Sequence, residues 1–480
     1  MSFSFRLPNG DVGSYAWGSN LIRFTNWAQV STDTAPMSLA GFTHSLSSWN
    51  SNAAFRGTIA FHHEIVHNLQ DMLTGIGHWD YLVRHRYIPE LNLLALKYSY
   101  DSTQQIPYRT DEVRLVRQQM RNELVMLPTS LLPTARRNQL ANEVQSLAAE
   151  SLKPDETIED AFLIESMLEA EAVVTVAMHL ARLIEQMPSF PLAILNQNRK
   201  LWAPFYMDRG YGPTIWFFRQ SLDTIMGAAE DKEDKALAKA HLEMYYRLLI
   251  FFVDLACAYP PPNVLDSNEL TRTDFEPGIR MARMFKTFLF LNDQDTAEFM
   301  NAMFGDNDLI RPEELLLQRT DFAYPSSARI YRAWLDLFDE MMKTSDDRLL
   351  LLRHDACRRR VDEPSSCVHK DLSTALTKQI PIYFLTPTGL NSHHFSLAHL
   401  EPDEFRMMGA DLLRYNRDLA AMDFFFDTGR FICPLAEAKL CSARIAECTS
   451  GLSGLNQLPP SPGCSVRNAW KGAGWHLPDE

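Results

Sequence analysis

The sequence has little positive charge to offer an anionic partner. Its 46 lysines and arginines stand against 60 aspartates and glutamates, for a net charge of −14. That balance disfavours nucleic-acid binding by phosphate neutralisation and docking on an anionic membrane surface. No export signal is visible. The first ten residues, Met1 to Gly10, show no basic region followed by a long apolar run. The most apolar stretch, Leu248 to Tyr259, is interrupted by Asp254 and stopped by Pro260, Pro261 and Pro262. It is too short to span a bilayer and reads as a buried helix. Seven cysteines, an odd number, do not make a disulfide framework. These features together predict a cytoplasmic protein with no nucleic-acid and no membrane partner, although leaderless export would leave the same pattern. There is no P-loop, no dinucleotide fingerprint, no G-x-S-x-G and no local signature of a nucleophilic cysteine.

What is present is an ordinary globular composition. The hydrophobic content of 46% and charged content of 22% in 480 residues can bury sizeable cores, and the length implies two or three domains. Phe3, Phe5 and Leu7 alternate, and Leu21, Ile22 and Phe24 form a second short run, so the start of the chain reads as small strands and loops. Helices are predicted over about residues 58–74, 158–186, 214–226, 232–259, 276–291, 295–303 and 327–344, with a polar, helix-rich stretch over about 112–152. Gly75 and Gly77 read as the stop of the first helix. The charged run Glu230 to Lys235 reads as an exposed helix start, and Ile380 to Phe384 as a strand. The expected class is α+β and mostly helical. Its expected parts are a catalytic region over 1–200, a mainly helical region over 201–375 and a C-terminal α+β region with a loop-rich tail over 376–480.

The chemistry concentrates at Phe61-His-His-Glu-Ile-Val-His-Asn-Leu-Gln-Asp71, which contains an H-E-x-x-H at His63, Glu64 and His67. On a helix, residues four apart share a face, so two imidazoles at this spacing can bind one metal ion. Glu64 then sits beside the metal, placed to take a proton from an attacking water and return it to the leaving group. At 100° per residue, Phe61, Ile65, Leu69 and Met72 form an apolar stripe. Ile59, His63, Val66, His67 and Gln70 gather opposite, with Glu64 between the faces. The expectation is a helix buried by its stripe, with both histidines facing a cleft. His62 points about 100° from His63 and reads as a neighbour only.

A hydrolytic zinc needs a third protein ligand and one open position. Leu73 stands six residues after His67, so the short H-E-x-x-H-x-x-G-x-x-H arrangement is absent. The apolar helix around Ala161 to Thr175 carries Glu165, Glu169 and Glu171, three carboxylates that need partners or a metal if buried.

Here the chain resembles the zincin metallopeptidases, in particular the glutamate-zincins, which pair an H-E-x-x-H helix with a second helix supplying Glu. In thermolysin-like members an acidic residue four positions after that Glu supports a ligand histidine. Glu165 followed by Glu169 fits that pattern and is preferred, with Glu165 as ligand and Glu169 supporting a ligand histidine. The alternative, Glu169 followed by Ala172, gives a Glu-x-x-Ala but leaves Val173 where the supporting acid should stand. Glu171 reads as an exposed or interhelical charge. The resemblance covers two short segments, and the interval from His67 to Glu165 is far longer than in thermolysin. It implies a zinc-dependent peptidase acting on a protein or peptide substrate, with the endo- or exopeptidase mode and the oligomeric state left open. Tyr206, Tyr211, His393 and His394 are candidates for transition-state donors, although His393-His394 reads more simply as a surface loop. Rival readings are a helical interaction or regulatory protein with a silent zinc site, and a zinc hydrolase acting on something other than peptides.

Cys433, Cys441, Cys448 and Cys464 could form a second, structural zinc site. Their spacings lack C-x-x-C pairs, and buried or free thiols are the alternative. Cys357 and Cys367, on either side of Arg358-Arg359-Arg360, suit both readings.

Overall fold

A computed structural model of the full chain describes residues 2–7, 10–16, 21–24, 52–78, 80–81, 115–116, 118–119, 142, 159–186, 212–225, 235–257, 277–304, 315–316, 351, 354, 358, 382–386 and 389–393. Two compact units emerge. One comprises Met1–Trp79 and Met126–His399, the other Asp80–Val125 and Leu400–Glu480. Every element named below lies in the first. In the second, Asp80, Tyr81 and Val116 are buried and Leu115 is exposed. The expected boundaries at 200/201 and 375/376 fall outside the described residues, as do the predicted helix over 327–344 and the run 230–234.

The described part is mostly helical. Its helices are α1 (Asn52–Leu73), α2 (Ile164–Gln186), α3 (Gly212–Ile225), α4 (Lys235–Cys257), α5 (Pro277–Leu289) and α6 (Asp293–Phe304). A 3₁₀ turn, Glu159–Phe162, leads into α2. The strands are β1 (Ser2–Leu7), β2 (Gly10–Ala16), β3 (Leu21–Phe24), β4 (Ile382–Thr386) and β5 (Gly389–His393), in spatial order β1-β2-β3-β4-β5. All neighbours pair antiparallel except β3 and β4, which run parallel with Leu21 opposite Tyr383. The alternation of Phe3, Phe5 and Leu7 and the run Leu21–Phe24 correspond to β1 and β3. Strands β2 and β5 carry no comparable apolar pattern and were not expected.

Local chemistry explains where the helices begin and end. Asn292 caps α6, its Oδ1 accepting from the Asp295 amide at 2.9 Å and its Nδ2 donating to Asp295 Oδ2 at 2.8 Å. That cap starts α6 at Asp293, two residues before the sequence pattern suggests. Pro277 opens α5, a position where its missing N–H costs no bond. Helix α1 ends at Leu73, but the chain does not stop turning. The Thr74 hydroxyl donates to the Gln70 carbonyl at 2.7 Å and accepts from the Gly77 amide at 3.1 Å, and residues 75–78 are helical again.

Helix α4 confirms the reading of its apolar stretch. Leu248 to Cys257, Asp254 included, are all 3% exposed or less, as a central helix requires. Around it Phe217, Phe218, Phe252, Phe285 and Phe288 form an aromatic core, with ring centroids 4.3 Å apart for Phe218 and Phe285 and 5.4 Å for Phe252 and Phe285. Arg280, fully buried, donates to the Ala256 carbonyl at 2.7 Å, placing a cation at the negative end of α4.

Candidate metal centre

Helix α1 packs on the N-terminal strands on one side and on α2 on the other. The expectation of one buried stripe and one cleft-facing side is therefore corrected. From His62 to Met72 every residue is 2% exposed or less. The polar residues of α1 are buried too, and each polar face has its own partner. Toward the sheet, the Tyr15 hydroxyl donates to Asp71 Oδ2 at 2.5 Å, and Asn68 Nδ2 lies 3.4 Å from the same hydroxyl. Toward α2 stand His63, His67 and Gln70, one helical stripe with spacings of four and three.

The two histidines converge with Glu169. His63 Nε2 lies 3.0 Å from Glu169 Oε2 and 3.0 Å from His67 Nε2, and His67 Nε2 lies 3.4 Å from Glu169 Oε2. Two imidazole nitrogens and a carboxylate oxygen cannot share so small a space without a positive charge between them, either a proton or a metal ion. The ligand spacing of a tetrahedral zinc with bonds of ~2.0–2.1 Å is about 3.3 Å, close to these three separations. The donor set therefore fits a metal ion, and it is the one such group among the described residues.

The third position is where sequence and structure part. Glu169, not Glu165, is brought to the histidines, and Glu165 is half-buried and outside the group. The two glutamates stand four residues apart on one face of α2, roughly 6 Å along its axis. Which of them reaches α1 depends on how far one helix is slid along the other, and no residue type records that. Glu171, read as an exposed or interhelical charge, is interhelical and fully buried, its Oε2 accepting from Gln70 Nε2 at 2.8 Å. Gln70 Nε2 also donates to the Leu168 carbonyl at 2.9 Å, and Gln70 Oε1 lies 2.7 Å from His67 Nδ1. The sequence placed Gln70 on the histidine face but gave it no role. An amide three residues after the second histidine, facing a helix with surplus carboxylates, is the signal that was available.

Electrostatics favour a neutral His63 and an ionised Glu169. Burial pulls the His63 imidazole below its ordinary 6.5, with the hydrogen bond to Glu169 opposing and His67 adding to the fall. Burial alone would push Glu169 up. The attraction of His67 and hydrogen bonds from both histidines outweigh it and hold the carboxyl down at about 2. A neutral histidine and an ionised carboxylate are the forms that ligate. Glu64, next to His63, is fully buried, and of the three donors Glu169 is the most exposed, at 8%.

Of the other candidates, His393 ends β5 opposite Ile382 in the sheet rather than lying in a loop. Tyr206, Tyr211, His394, Cys433, Cys441, Cys448 and Cys464 lie outside the described residues. Among the described helices none is long and apolar enough to cross a membrane. Compared with protein-family models, with curated proteins and with solved structures, the chain matches none.

Proposed function

We propose that this protein is a zinc-dependent peptidase in which His63, His67 and Glu169 hold the metal and Glu64 is the general base. The observation that carries the reading is the convergence of two imidazole Nε2 atoms and one carboxylate oxygen within 3.4 Å, with the buried Glu64 next in sequence to His63 on the same helix. Two neutral imidazoles and one carboxylate leave one position of a tetrahedral ion for a non-protein ligand. A zinc ion held there would supply Lewis acidity, acidifying water and polarising a carbonyl. Glu64 takes the proton from the attacking water and hands it to the departing amine. His63 and His67 would ligate through Nε2, and Glu169 contributes the one negative charge of the donor set. An α+β scaffold of the zincin type, cytoplasmic location and a peptide substrate belong to the same proposal.

A silent metal site in an interaction or regulatory protein has one observation in its favour. The histidines are 1% and 0% exposed, and Glu169 only 8%. Glu64→Gln separates the two readings. The amide keeps size and hydrogen bonding but cannot accept water's proton. Zinc content and fold should be retained, and chelator-sensitive cleavage of peptide or protein substrates should fall by at least ~10²-fold. Full biological activity in this variant would show that turnover is not the job of the site.

A further inference from the structure

We infer that Gln70 is a positioning residue that fixes the tautomer of His67, held in turn by Glu171, so that His67 presents a lone pair and not a proton to the metal. The inference rests on the metal-centre reading, but the contacts that carry it, those of Gln70 with His67, Leu168 and Glu171, are not the ones that carry that reading.

The argument is one of donors and acceptors. The Leu168 carbonyl can only accept, and so can Glu171 when ionised. Both lie within 2.9 Å of the same Gln70 nitrogen, so that atom is the NH₂ and the amide oxygen is turned to His67. An amide oxygen also only accepts. The proton in the 2.7 Å contact therefore belongs to His67 Nδ1. A neutral imidazole with its proton on Nδ1 has its lone pair on Nε2. That is the nitrogen lying 3.0 Å from His63 Nε2 and 3.4 Å from Glu169 Oε2.

The opposite amide orientation would leave an oxygen facing two acceptors. Gln70 and Glu171 are fully buried, so water could not repair the loss. Two helices thus enforce one orientation. Gln70 comes from α1, and both of its restraints come from α2, the helix that also carries Glu169. In many metal sites a carboxylate contacts the second nitrogen of a ligand histidine. Here a neutral amide stands between, with the carboxylate one step further back. The amide orients His67 without placing a second full charge against it, and Glu171 polarises the amide so that its oxygen accepts more strongly.

The experiment has a metal-free arm and a metal arm. In metal-free protein labelled with ¹⁵N-histidine, at a pH well above the ordinary histidine range, the signal lost in His67→Asn identifies His67. The expected signature is a protonated Nδ1 and a bare Nε2. A protonated Nε2 with a bare Nδ1 overturns the inference, whatever the protein does with zinc. In the metal arm, Gln70→Met keeps the length of the side chain and removes both hydrogen-bonding groups. Zinc affinity, measured by competition with a chromophoric chelator, should fall about 10–100-fold. Glu171→Met should follow it in part. Glu171→Gln, which still offers an oxygen to Gln70, should bind zinc within about threefold of the wild type. Equal affinity in Gln70→Met and wild type overturns the inference. Wild-type protein that binds no zinc, or binds it as well after His63→Ala, defeats the metal-centre reading instead, and the ¹⁵N result still stands on its own.

Discussion

At the scale of single residues, the division of labour between Glu165 and Glu169 is the sharpest point of departure from the sequence. Position along α2 decides it. Glu169 lies 3.0 Å from His63 and 3.4 Å from His67, and Glu165 is not in the group. Glu169→Ala should therefore abolish tight zinc binding, while Glu165→Ala should change it by less than the ~10-fold typical of losing a supporting group. Equilibrium dialysis of the two variants reads the difference, and the reverse order would return the ligand role to Glu165. The pairing of His63 with His67 was legible because it depends on spacing within one helix, where geometry follows from sequence. The third donor was not, because it comes from another helix at a distance set by packing. The burial of the whole helix was hidden for a related reason. The apolar stripe predicts one buried side, and the burial of Asn68, Gln70 and Asp71 follows only from their partners Tyr15 and Glu171 on other elements.

At the scale of elements, the end of α1 depends on a residue that looked like simple punctuation. Gly77 is not a mere breaker. A Cβ there would lie 2.0 Å from the Asp71 carbonyl oxygen and 2.6 Å from its carbon, both backbone atoms that cannot swing aside. Gly77→Ala should thus lower the denaturant midpoint, by an amount equivalent to about 1–3 kcal/mol or more, as overpacking does. An unchanged midpoint would mean that residues 75–78 do not fold back onto α1 in this way. The helices themselves were largely legible, since α3 to α6 fall within a few residues of their predicted spans. Their apolar periodicity is long and clear. The strands were legible only where aromatic or aliphatic residues mark them. Gly10–Ala16 and Gly389–His393 are held by backbone pairing to better-marked neighbours, a long-range effect that the local pattern does not contain.

At the scale of the whole molecule, the buried centre makes stability depend on acid in a defined direction. His63 titrates below 6.5 in the folded chain, so below that value the unfolded chain binds the extra proton first and stability falls with pH. Glu169 is held at about 2 against an ordinary 4.5, so it stabilises the fold above 4.5 and loses that contribution as pH falls from 4.5 through 2. Both effects have the same sign. Metal-free protein should lose thermal stability on acidification from near neutrality. The difference in melting temperature between wild type and Glu169→Gln should shrink across the lower window, where the wild-type carboxyl becomes neutral as well. A difference that stays constant with pH would show that Glu169 is not held ionised by the histidines. The sheet has a consequence of another kind, for the order of events during synthesis. Leu21 pairs with Tyr383, about 360 residues later in the chain. At roughly 5–20 residues per second a ribosome needs on the order of 20–70 s to cover that distance. Until then β3 lacks its partner β4, and α1 and α2 are both complete about halfway through the interval. The two helices that carry the donor atoms can therefore meet before the sheet on which α1 rests has been closed, and the last strands to arrive complete a platform whose cargo is already in place.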